Sequence, residues 1–566
     1  MSLFEEVLSL NKKELLDKWL ELCDDCENTQ KEVLLDILNN AKNTEIGQRF
    51  NFEKIKSIEE YQQKVPILEY EDIEEYIEKM ALAKEDVLFP GKTSFFISTS
   101  GTTGNSKKIP ESEKSSKAKS AVLKLRNLYL TTELIGKIKK NNEIIQYLVE
   151  KGIDLTNLDS NSFMDKFYFY SVTSASPNNK TKGGIDIGFA SGKTFDNSSF
   201  ANSLSYPKEI MGLKDGEATM YLSMLFSLIH EDVVIITSNN AGRVYARVKY
   251  AQEHAKEIIA DIKNGTINKN LNLSKKEREI FESYIQPNPE RATFLQDLLK
   301  NGKEYFIPKY YWPHLIASRF WLTGSVGVNV DKLKEYLPDN IIYYDVGYGA
   351  SEGKINIPHQ SGVGSGTLSI ASIFYEFLSL ETGDILTADK LELGKDYELI
   401  LTNYGGLYRY PLHDIVRVTG FVGNTPDIEF ITKSKEILNI AQEKVPAPSI
   451  VEILTEFLKN KELILVQSQI FEDLNNSNYQ IFIELEDENS IKHLEKEFDD
   501  LVRTKFELYD RNRKFNSINS LEFNLMKTGW QKHLYESKEK KDIPQSQVKI
   551  ETIINEKPDL EWIKGD

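Results

Sequence analysis

The sequence predicts an α/β protein with a large N-terminal domain, in which sheets are flanked by helices, and a smaller α+β domain at the C-terminus. Three observations predict this class: the length, the alternation of short apolar runs with helical segments, and a change of pattern near residue 434. The chain has 566 residues, and a single hydrophobic core rarely grows beyond about 250–300 residues. We therefore expect at least two domains, and we place them at residues 1–433 and 434–566.

The first 90 residues or so are predicted to be helical. Their apolar residues recur every three or four positions, which puts them on one face of a helix. The residues that show this spacing are Leu15, Trp19, Leu22, Val33, Leu34, Ile37 and Leu38. We interpret this region as a scaffold for the rest of the large domain.

The middle of the chain alternates strand-like and helical segments, a pattern that favours a layered α/β core. Short apolar runs of the kind found in buried strands stand at 95–97, 167–172, 184–189, 233–237 and 320–323. Helical periodicity is found at 118–129 and 243–263. Sheets covered by helices are therefore expected between residues 90 and 433.

The C-terminal segment has a different pattern of predicted helices and strands. A helix is predicted near 447–459, and strands are predicted at 463–471, 479–486 and 521–526. The second of these strands alternates apolar residues with Gln480 and Glu484. A further amphipathic helix carries one stripe of apolar residues, which are Ile491, Leu494, Phe498, Leu501 and Val502. This mixture predicts the smaller α+β domain.

The charge balance narrows the range of partners. The chain has 70 basic and 87 acidic residues, a formal net charge of −17. Nucleic acids and anionic membranes need a basic surface, so we expect neither as a partner. The apolar runs are shorter than the ~20 residues of a membrane span, and the N-terminus has no signal-peptide pattern. These features predict a cytoplasmic protein.

The segment 98–106 follows a predicted strand and is rich in small residues. Eight of its nine residues are Ser, Thr or Gly, and Lys107 comes next. Such a loop offers backbone N–H groups and hydroxyls to phosphate oxygens, and the lysine adds positive charge. It does not match the P-loop pattern, which argues against a GTPase. A flexible surface loop is the alternative interpretation.

Two later segments place carboxylates beside predicted strands. Glu352, in YGASEG, follows the strand-like run 340–346, and strand ends are where α/β enzymes bind ligands. There it could hold Mg²⁺, which takes one or two carboxylates together with waters and phosphates. Asp414, in GGLYRYPLHD, stands between two strand-like runs and could accept both ribose hydroxyls. The alternatives are a surface glutamate and a structural ion pair between Arg409 and Asp414.

Taken in order, these segments resemble the motifs of a known superfamily. TSGTTGNSK, YGASEG and GGLYRYPLHD are similar to the phosphate-loop, magnesium-glutamate and ribose-aspartate motifs of adenylate-forming enzymes, which include acyl-CoA synthetases, luciferases and adenylation domains. YWPHLIASRFWLTGSVGVNVDKL from Tyr311 and LTNYGGLYRYPLHDIVRVTGFVGNTPDIEFITK from Leu401 resemble, more narrowly, the auxin-responsive acyl-acid amido synthetases. In plants these enzymes join hormones such as jasmonate and indole acetate to amino acids. The likeness extends over residues 90–445.

The resemblance implies two sets of site residues. The residues implied to bind the nucleotide are Thr99, Ser100, Gly101, Thr102, Thr103, Gly104, Gly324, Ser325, Tyr348, Gly349, Ala350, Ser351 and Asp414. The residues implied to act in catalysis are Lys107, Glu352, Lys433, Lys444 and Lys549. Within these sets the loop 99–104 would cradle the ATP phosphates, and Tyr348 would stack on the adenine beside residues 324–325. Glu352 would hold Mg²⁺, and Asp414 would bind the ribose.

The three C-terminal lysines are implied to act at different places. Lys433 would contact the nucleotide beside the hinge between the two domains, and Lys444 would lie near the phosphates. Lys549, in a short QVK match, would enter the site when the small domain rotates. The small domain is therefore expected to be mobile and to act as a lid.

Three positions depart from the family pattern. Ser106 stands where the wider superfamily commonly has proline, and His413 stands where the family commonly has glycine. His413 is either a packed neighbour of the aspartate or a group that titrates near neutral pH and assists the chemistry. Lys433 replaces an arginine, which keeps the charge but loses bidentate geometry.

The activity implied by the resemblance is that of an ATP-dependent, AMP-forming ligase. It would activate a small carboxylic acid as its acyl-adenylate and join the acid to the amine of an amino acid, using ATP and Mg²⁺. A monomer or a weak oligomer is expected. The alternatives are an acyl-CoA ligase that uses the same intermediate, and a non-catalytic nucleotide-binding relative.

Overall fold

A computed structural model gives the architecture of the chain. It describes residues 1–98, 107–140, 145–146, 149–150, 167–172, 179–188, 203–213, 215–323, 328–438, 440, 443, 445–487, 491–514, 517–538 and 550–564. Contacts between Cα atoms divide the chain into two compact units. The first unit comprises Met1–Leu412 and Arg417–Phe430, and the second comprises His413–Val416 and Ile431–Asp566.

The first unit begins with the predicted helical scaffold. Its helices are Leu3–Ser9, Lys12–Asp24, Cys26–Ala41, Glu45–Arg49, Ile58–Lys64 and Tyr70–Ala81. Side-chain caps fix where several of them start; the Asn11 carboxamide, for example, accepts hydrogen bonds from two backbone N–H groups of the following turn. The seven apolar residues that predicted these helices are all buried. The helical prediction is confirmed.

Two four-stranded sheets form the centre of this unit. Their strands are β1 Phe95–Ser98, β2 Lys108–Glu111, β3 Tyr168–Val172, β4 Asn179–Lys180, β5 Asp186–Gly188, β6 Val233–Ser238, β7 Ala317–Phe320 and β8 Ile342–Asp345. One sheet has the order β2-β1-β5-β4, and the other has the order β3-β6-β7-β8. All neighbouring strands of the second sheet run parallel.

Helices pack beside these sheets, as the alternating pattern predicts. They are Glu113–Ile138, Gly216–Ile229, Ala241–Glu253, Ala255–Asn264, Lys275–Tyr284, Pro289–Lys300, Pro308–Tyr311 and Val328–Lys334. The helix expected at 243–263 is in fact two helices, because His254 leaves the helical backbone with a ψ of 17° and caps both. The apolar core of this region is continuous from helix Glu113–Ile138 to strand β8.

The predicted strand at 320–323 is wrong in position. The strand is Ala317–Phe320, and the chain leaves the sheet directly afterwards. The backbone N–H of Leu322 donates to the Asp345 carboxylate at 2.8 Å rather than to a neighbouring strand. A side chain therefore satisfies the donor that a longer strand would have used.

A seven-stranded sheet follows along the chain. Its strands are β9 Asn356–Ile357, β10 Gly366–Leu368, β11 Phe374–Ser379, β12 Ile385–Thr387, β13 Asp396–Thr402, β14 Tyr410–Val422 and β15 Thr425–Lys433. Their order is β12-β11-β13-β14-β15-β10-β9. The long strands β14 and β15 each contain residues of both compact units, so the chain passes between the units within strands.

The second unit has the predicted α+β composition. Its strands are β16 Ile437–Leu438, β17 Val445–Pro446, β18 Leu465–Asp473, β19 Asn478–Leu485, β20 Glu522–Leu525 and β21 Ile553–Ile554. The last four form a sheet of order β20-β19-β18-β21, and the first two pair with each other. Its helices are Ala447–Lys459, Glu495–Lys505, Glu507–Lys514 and Trp530–Lys538. Helix Ala447–Lys459 and helix Glu495–Lys505 bury their apolar faces in one core with this sheet. The predicted fold class is confirmed for both units.

Strand β19 is more buried than its alternating sequence suggests. All eight of its residues are buried, including Gln480 and Glu484. The Glu484 carboxylate accepts hydrogen bonds from the backbone N–H groups of Gly529 and Gln531, each at 2.6 Å. It therefore caps helix Trp530–Lys538, which explains a carboxylate in the core.

Membrane-spanning helices are not found in the part of the chain that the structure describes. No helix there is both long enough and apolar enough for that role.

Candidate active site

The YGASEG motif forms a tight hairpin directly after strand β8. Gly349 and Lys354 pair as an antiparallel bridge, and the Ala350 N–H donates to the Gly353 carbonyl at 2.9 Å. Glu352 lies in the four-residue turn that these bonds close. We call residues 347–356 the glutamate hairpin. It leaves the carboxyl end of a parallel sheet, which is the edge where α/β proteins bind ligands.

Side chains from two other segments hold the tip of the glutamate hairpin. The Asn403 amide donates to the Glu352 carbonyl at 2.9 Å, and the Lys119 ammonium donates to the Ser351 carbonyl at 3.3 Å. The Asn403 carbonyl oxygen in turn accepts the N–H of Gly405 at 2.8 Å. Asn403 therefore fixes the GGLYRYP segment against the hairpin.

Two lysines line a small cavity beside the glutamate hairpin. A small cavity of about 20 Å³ is lined by Glu352, Lys119, Lys354 and Asn403, among others. Burial, together with the nearby charges of Arg126 and Lys119, lowers the pKa of Lys354 to about 7. In its protonated form Lys354, together with Lys119, favours an anionic ligand in this cavity.

Tyr348 lies at the start of the glutamate hairpin, followed by Gly349, Ala350 and Ser351. Its ring is mostly buried and packs against Phe430, with the ring centroids 5.3 Å apart and the planes tilted by 35°. Its N–H donates to the Asn356 side chain at 2.8 Å. Tyr348, the predicted adenine-stacking residue, is thus held through its ring and through its backbone N–H.

Lys107 is the first described residue after the predicted phosphate loop. Its ammonium lies 4.8 Å from the centre of the Tyr70 ring, a cation–π contact. Ten of the predicted site positions lie outside the described residues; they are Thr99, Ser100, Gly101, Thr102, Thr103, Gly104, Gly324, Ser325, Lys444 and Lys549. Their roles stay predictions.

Asp414 belongs to the second unit, together with Lys433. Asp414 lies within the long strand β14, whereas the sequence predicted a position between two strands. Its carboxylate is buried, with 3% of the side chain exposed, and forms an ion pair with the half-exposed Lys433 ammonium. Two residues chosen separately from the sequence are thus in contact.

The alternative ion pair between Arg409 and Asp414 is wrong. The Arg409 guanidinium pairs with Glu376 instead, with Nη2 and Oε1 2.9 Å apart and both side chains buried. Arg409 therefore pairs with a residue of the first unit, and Asp414 pairs with Lys433.

His413 has a left-handed backbone, with φ of 55°. This region favours glycine, although histidine and asparagine enter it more readily than most residues. The glycine that the family commonly has at this position is explained by the same backbone. The backbone at His413 therefore suits glycine, and the two interpretations of the histidine side chain stay predictions.

Sequence reasoning missed the residues that support the glutamate hairpin. Asp345 is 3% exposed, and its carboxylate accepts the N–H of Gly347 at 2.6 Å as well as that of Leu322. Burial raises the pKa of Asp345 to about 6.

Arg126 is the second missed residue, and it donates to the carbonyls of Tyr348 and Asn356. The sequence contained a sign of its role, because Arg126 stands four residues after Val122, within the apolar stripe of helix Glu113–Ile138. A charged residue in such a stripe needs a partner.

Comparison with protein families covers most of the chain. Residues 15–342 match the GH3 family N-terminal domain, residues 366–433 match the central domain, and residues 450–558 match the C-terminal domain. A solved structure of the acyl acid amido synthetase GH3.15 in complex with 2,4-DB has a TM-score of 0.76 and 21% identity, covering 96% of this chain and 94% of that one. This similarity shows a shared fold.

Characterised relatives are similar over most of their length. A jasmonoyl–L-amino acid synthetase of Nicotiana attenuata, JAR6, is 24% identical over 550 residues, which cover 92% of this chain and 89% of the relative. A 4-substituted benzoates–glutamate ligase of Arabidopsis thaliana, GH3.12, is 24% identical over 441 residues, which cover 75% and 72%. The resemblance seen in the sequence motifs is confirmed, and the chain belongs to the GH3 family.

Proposed function

We propose that the chain is an ATP-dependent acyl-acid amido synthetase, which activates a carboxylic acid as its acyl-adenylate and joins it to the amine of an amino acid. The observation that carries this proposal is the glutamate hairpin. It presents Glu352 at the carboxyl edge of a parallel sheet, beside a cavity that Lys119 and Lys354 also line, in a chain that matches all three domains of the family.

The chemistry solves a known difficulty of carboxylates, which are poor electrophiles. In the first step a carboxylate oxygen attacks the α-phosphorus of ATP. A phosphorus–oxygen bond forms, and the bond to pyrophosphate breaks. In the second step the amine nitrogen attacks the acyl carbon, the carbon–oxygen bond to AMP breaks, and the amine loses a proton to solvent. The protein contributes mainly by alignment and by offsetting negative charge.

Each part of the nucleotide is assigned to residues that the sequence motifs predict. We propose that the loop 99–104 and Lys107 bind the phosphates, while residues 324–325 and Tyr348 bind the adenine. Asp414, which pairs with Lys433, would accept the ribose hydroxyls. Lys444 and Lys549 are proposed to meet the phosphates at different stages of the reaction.

The donor set fits Mg²⁺ that arrives with ATP. Among the described residues, no group of three His, Cys, Asp or Glu side chains could hold a metal ion by itself. A single carboxylate beside a triphosphate suits Mg²⁺, because this ion keeps several waters and uses phosphate oxygens as ligands. Glu352 would hold it, and when bound it offsets phosphate charge.

The relatives indicate the class of acid. Their names specify jasmonate, 4-substituted benzoates and, for another Arabidopsis thaliana relative, indole-3-acetic acid, each of which joins an apolar body to one carboxylate. We propose an acid of this class and an amino acid as the acceptor. With a formal charge of −17, we propose no nucleic acid or membrane partner.

A competition between acceptors tests this proposal. A panel of aryl and alkyl acids is incubated with ATP, Mg²⁺, an equimolar mixture of amino acids and coenzyme A, and the products are separated by mass spectrometry. We expect AMP release to depend on both an acid and an amino acid, and we expect an N-acyl amino acid as the product. Thioester as the main product would show an acyl-CoA ligase. Absence of acid-dependent pyrophosphate exchange with every acid would favour a non-catalytic protein.

A further inference from the structure

Arg126 is a buried arginine whose guanidinium donates hydrogen bonds to backbone carbonyls. It lies in the middle of helix Glu113–Ile138 and is 3% exposed. It donates to the Asn356 carbonyl at 2.8 and 2.5 Å, to the Tyr348 carbonyl at 2.9 Å and to the Val346 carbonyl at 3.1 Å. Hydrogen bonds from a charged donor are the stronger kind.

These carbonyls lie on the two arms of the glutamate hairpin. Val346 and Tyr348 lie where the chain enters the glutamate hairpin, and Asn356 lies where it leaves. Because a guanidinium is planar and its donors are fixed relative to one another, Arg126 ties both arms together in a single geometry. The tip that these arms carry is Glu352.

Gly347 makes this approach possible. Its backbone is left-handed, with φ of 85°, and a Cβ at this position would overlap the Arg126 guanidinium. The glycine therefore serves two needs at once: it permits the backbone angle, and it leaves room for the arginine.

The helix that carries Arg126 is itself anchored beside the site. It begins six residues after Lys107, and its capping residue Ser112 donates through Oγ to the Tyr404 carbonyl at 2.9 Å. Arg126 therefore connects the segment after the phosphate loop with the segment that carries the carboxylate.

We propose that Arg126 is a positioning residue, which fixes Glu352 relative to helix Glu113–Ile138 without touching the substrate. The inference rests on the proposed function, because it concerns the carboxylate that function requires. Residues that orient a metal-binding carboxylate typically contribute about 10–100-fold in metal affinity or activity.

Two substitutions disturb the contact from opposite sides. Arg126→Lys keeps the charge but loses the planar fork, and Gly347→Ala forces a methyl group against the guanidinium. Each has a matched control. Arg291 is 7% exposed and likewise donates to three carbonyls, those of Leu228, His230 and Tyr311, outside the hairpin. Gly383 has φ of 78° with open space around its Cβ position.

Three readouts separate positioning from general loss of stability. We expect Arg126→Lys and Gly347→Ala to raise the Mg²⁺ concentration for half-maximal pyrophosphate exchange by about 10–100-fold. We also expect both to speed amide hydrogen exchange in the peptide 346–356. Arg291→Lys should lower the melting temperature about as much as Arg126→Lys does, and Gly383→Ala should show the effect of a left-handed backbone angle alone. Both controls should leave the Mg²⁺ dependence and the hydrogen exchange in 346–356 unchanged.

The outcomes are distinct. The inference is overturned if the wild type is active and the two hairpin variants keep its Mg²⁺ dependence, or if hydrogen exchange in 346–356 is unaltered in both. An equal shift in Mg²⁺ dependence for Arg291→Lys would also overturn it, because the effect would then be one of stability. A wild type that shows no acid-dependent exchange would remove the proposed function, and the inference with it.

Discussion

Glu352→Ala is expected to slow acid-dependent pyrophosphate exchange by about 10²–10³-fold at physiological Mg²⁺, because it removes the charged group that the proposed mechanism places beside the triphosphate. The backbone of the hairpin should be unaffected, since the bonds that close it and the bond from Asn403 involve main-chain atoms of residues 350–353. The loss should appear in the exchange rate, with little change in melting temperature. Excess Mg²⁺ should restore part of the rate.

The matched control is Glu381→Ala. Glu381 is also a glutamate near a turn of the first unit, but 62% of its side chain is exposed and it pairs with Lys395. Such surface pairs contribute about 0–1 kcal/mol, so its loss should change neither rate nor stability. If Glu352→Ala exchanges pyrophosphate as fast as Glu381→Ala, Glu352 does not hold the ion.

Glu376→Ala is expected to destabilise the first unit by about 3–5 kcal/mol, the cost of leaving a buried charge without its partner. Arg409 is 5% exposed, and besides Glu376 it donates to the carbonyls of Gln62 and Val65 at 3.0 and 2.8 Å. Neither carbonyl can neutralise the guanidinium. The measurement is the urea midpoint of the first unit's unfolding transition, followed by tryptophan fluorescence.

Asp396→Ala provides the comparison for that result. Asp396 forms a bidentate pair with Arg417, at 2.7 and 2.8 Å, within the same unit, but both side chains are partly exposed. Its loss should cost about 1 kcal/mol or less. Equal midpoint shifts for the two variants would contradict the view that burial makes the Glu376 pair important.

The fold was largely predictable because it follows from local patterns. The N-terminal helices were predicted from apolar spacing alone, and the C-terminal α+β unit was predicted from alternating strands and two amphipathic helices. The errors came where a distant group decided the outcome. Strand β7 ends at Phe320 because the Asp345 side chain takes the Leu322 N–H, and no local pattern around residue 320 contains that information.

The candidate site was predictable to a different degree. Glu352 and Asp414 were singled out because each stands beside a predicted strand, in a segment that resembles a motif of the adenylate-forming enzymes. The ion pair between Asp414 and Lys433 joins two strands, and the pairing of Arg409 with Glu376 joins segments 33 residues apart. Such pairings depend on the order of strands in a sheet, which the sequence does not reveal. For this reason the alternative interpretation paired Arg409 with Asp414 instead of Glu376.

Positioning residues were the hardest to predict. Arg126 donates to carbonyls more than 200 residues away in the chain, and its partners are backbone atoms, which every sequence possesses. Only its place within an apolar stripe hinted at a buried role. The domain boundary at residue 433 and the mobility of the small domain stay predictions.

One measurement tests the central claim, the acyl-adenylate intermediate, most directly. The best acid from the acceptor screen is prepared with ¹⁸O in both carboxylate oxygens and incubated with the protein, ATP, Mg²⁺ and the amino acid. Attack on the α-phosphorus, followed by cleavage of the carbon–oxygen bond, predicts one ¹⁸O atom in each AMP and none in pyrophosphate. Label in orthophosphate, with ADP as the nucleotide product, would contradict the account.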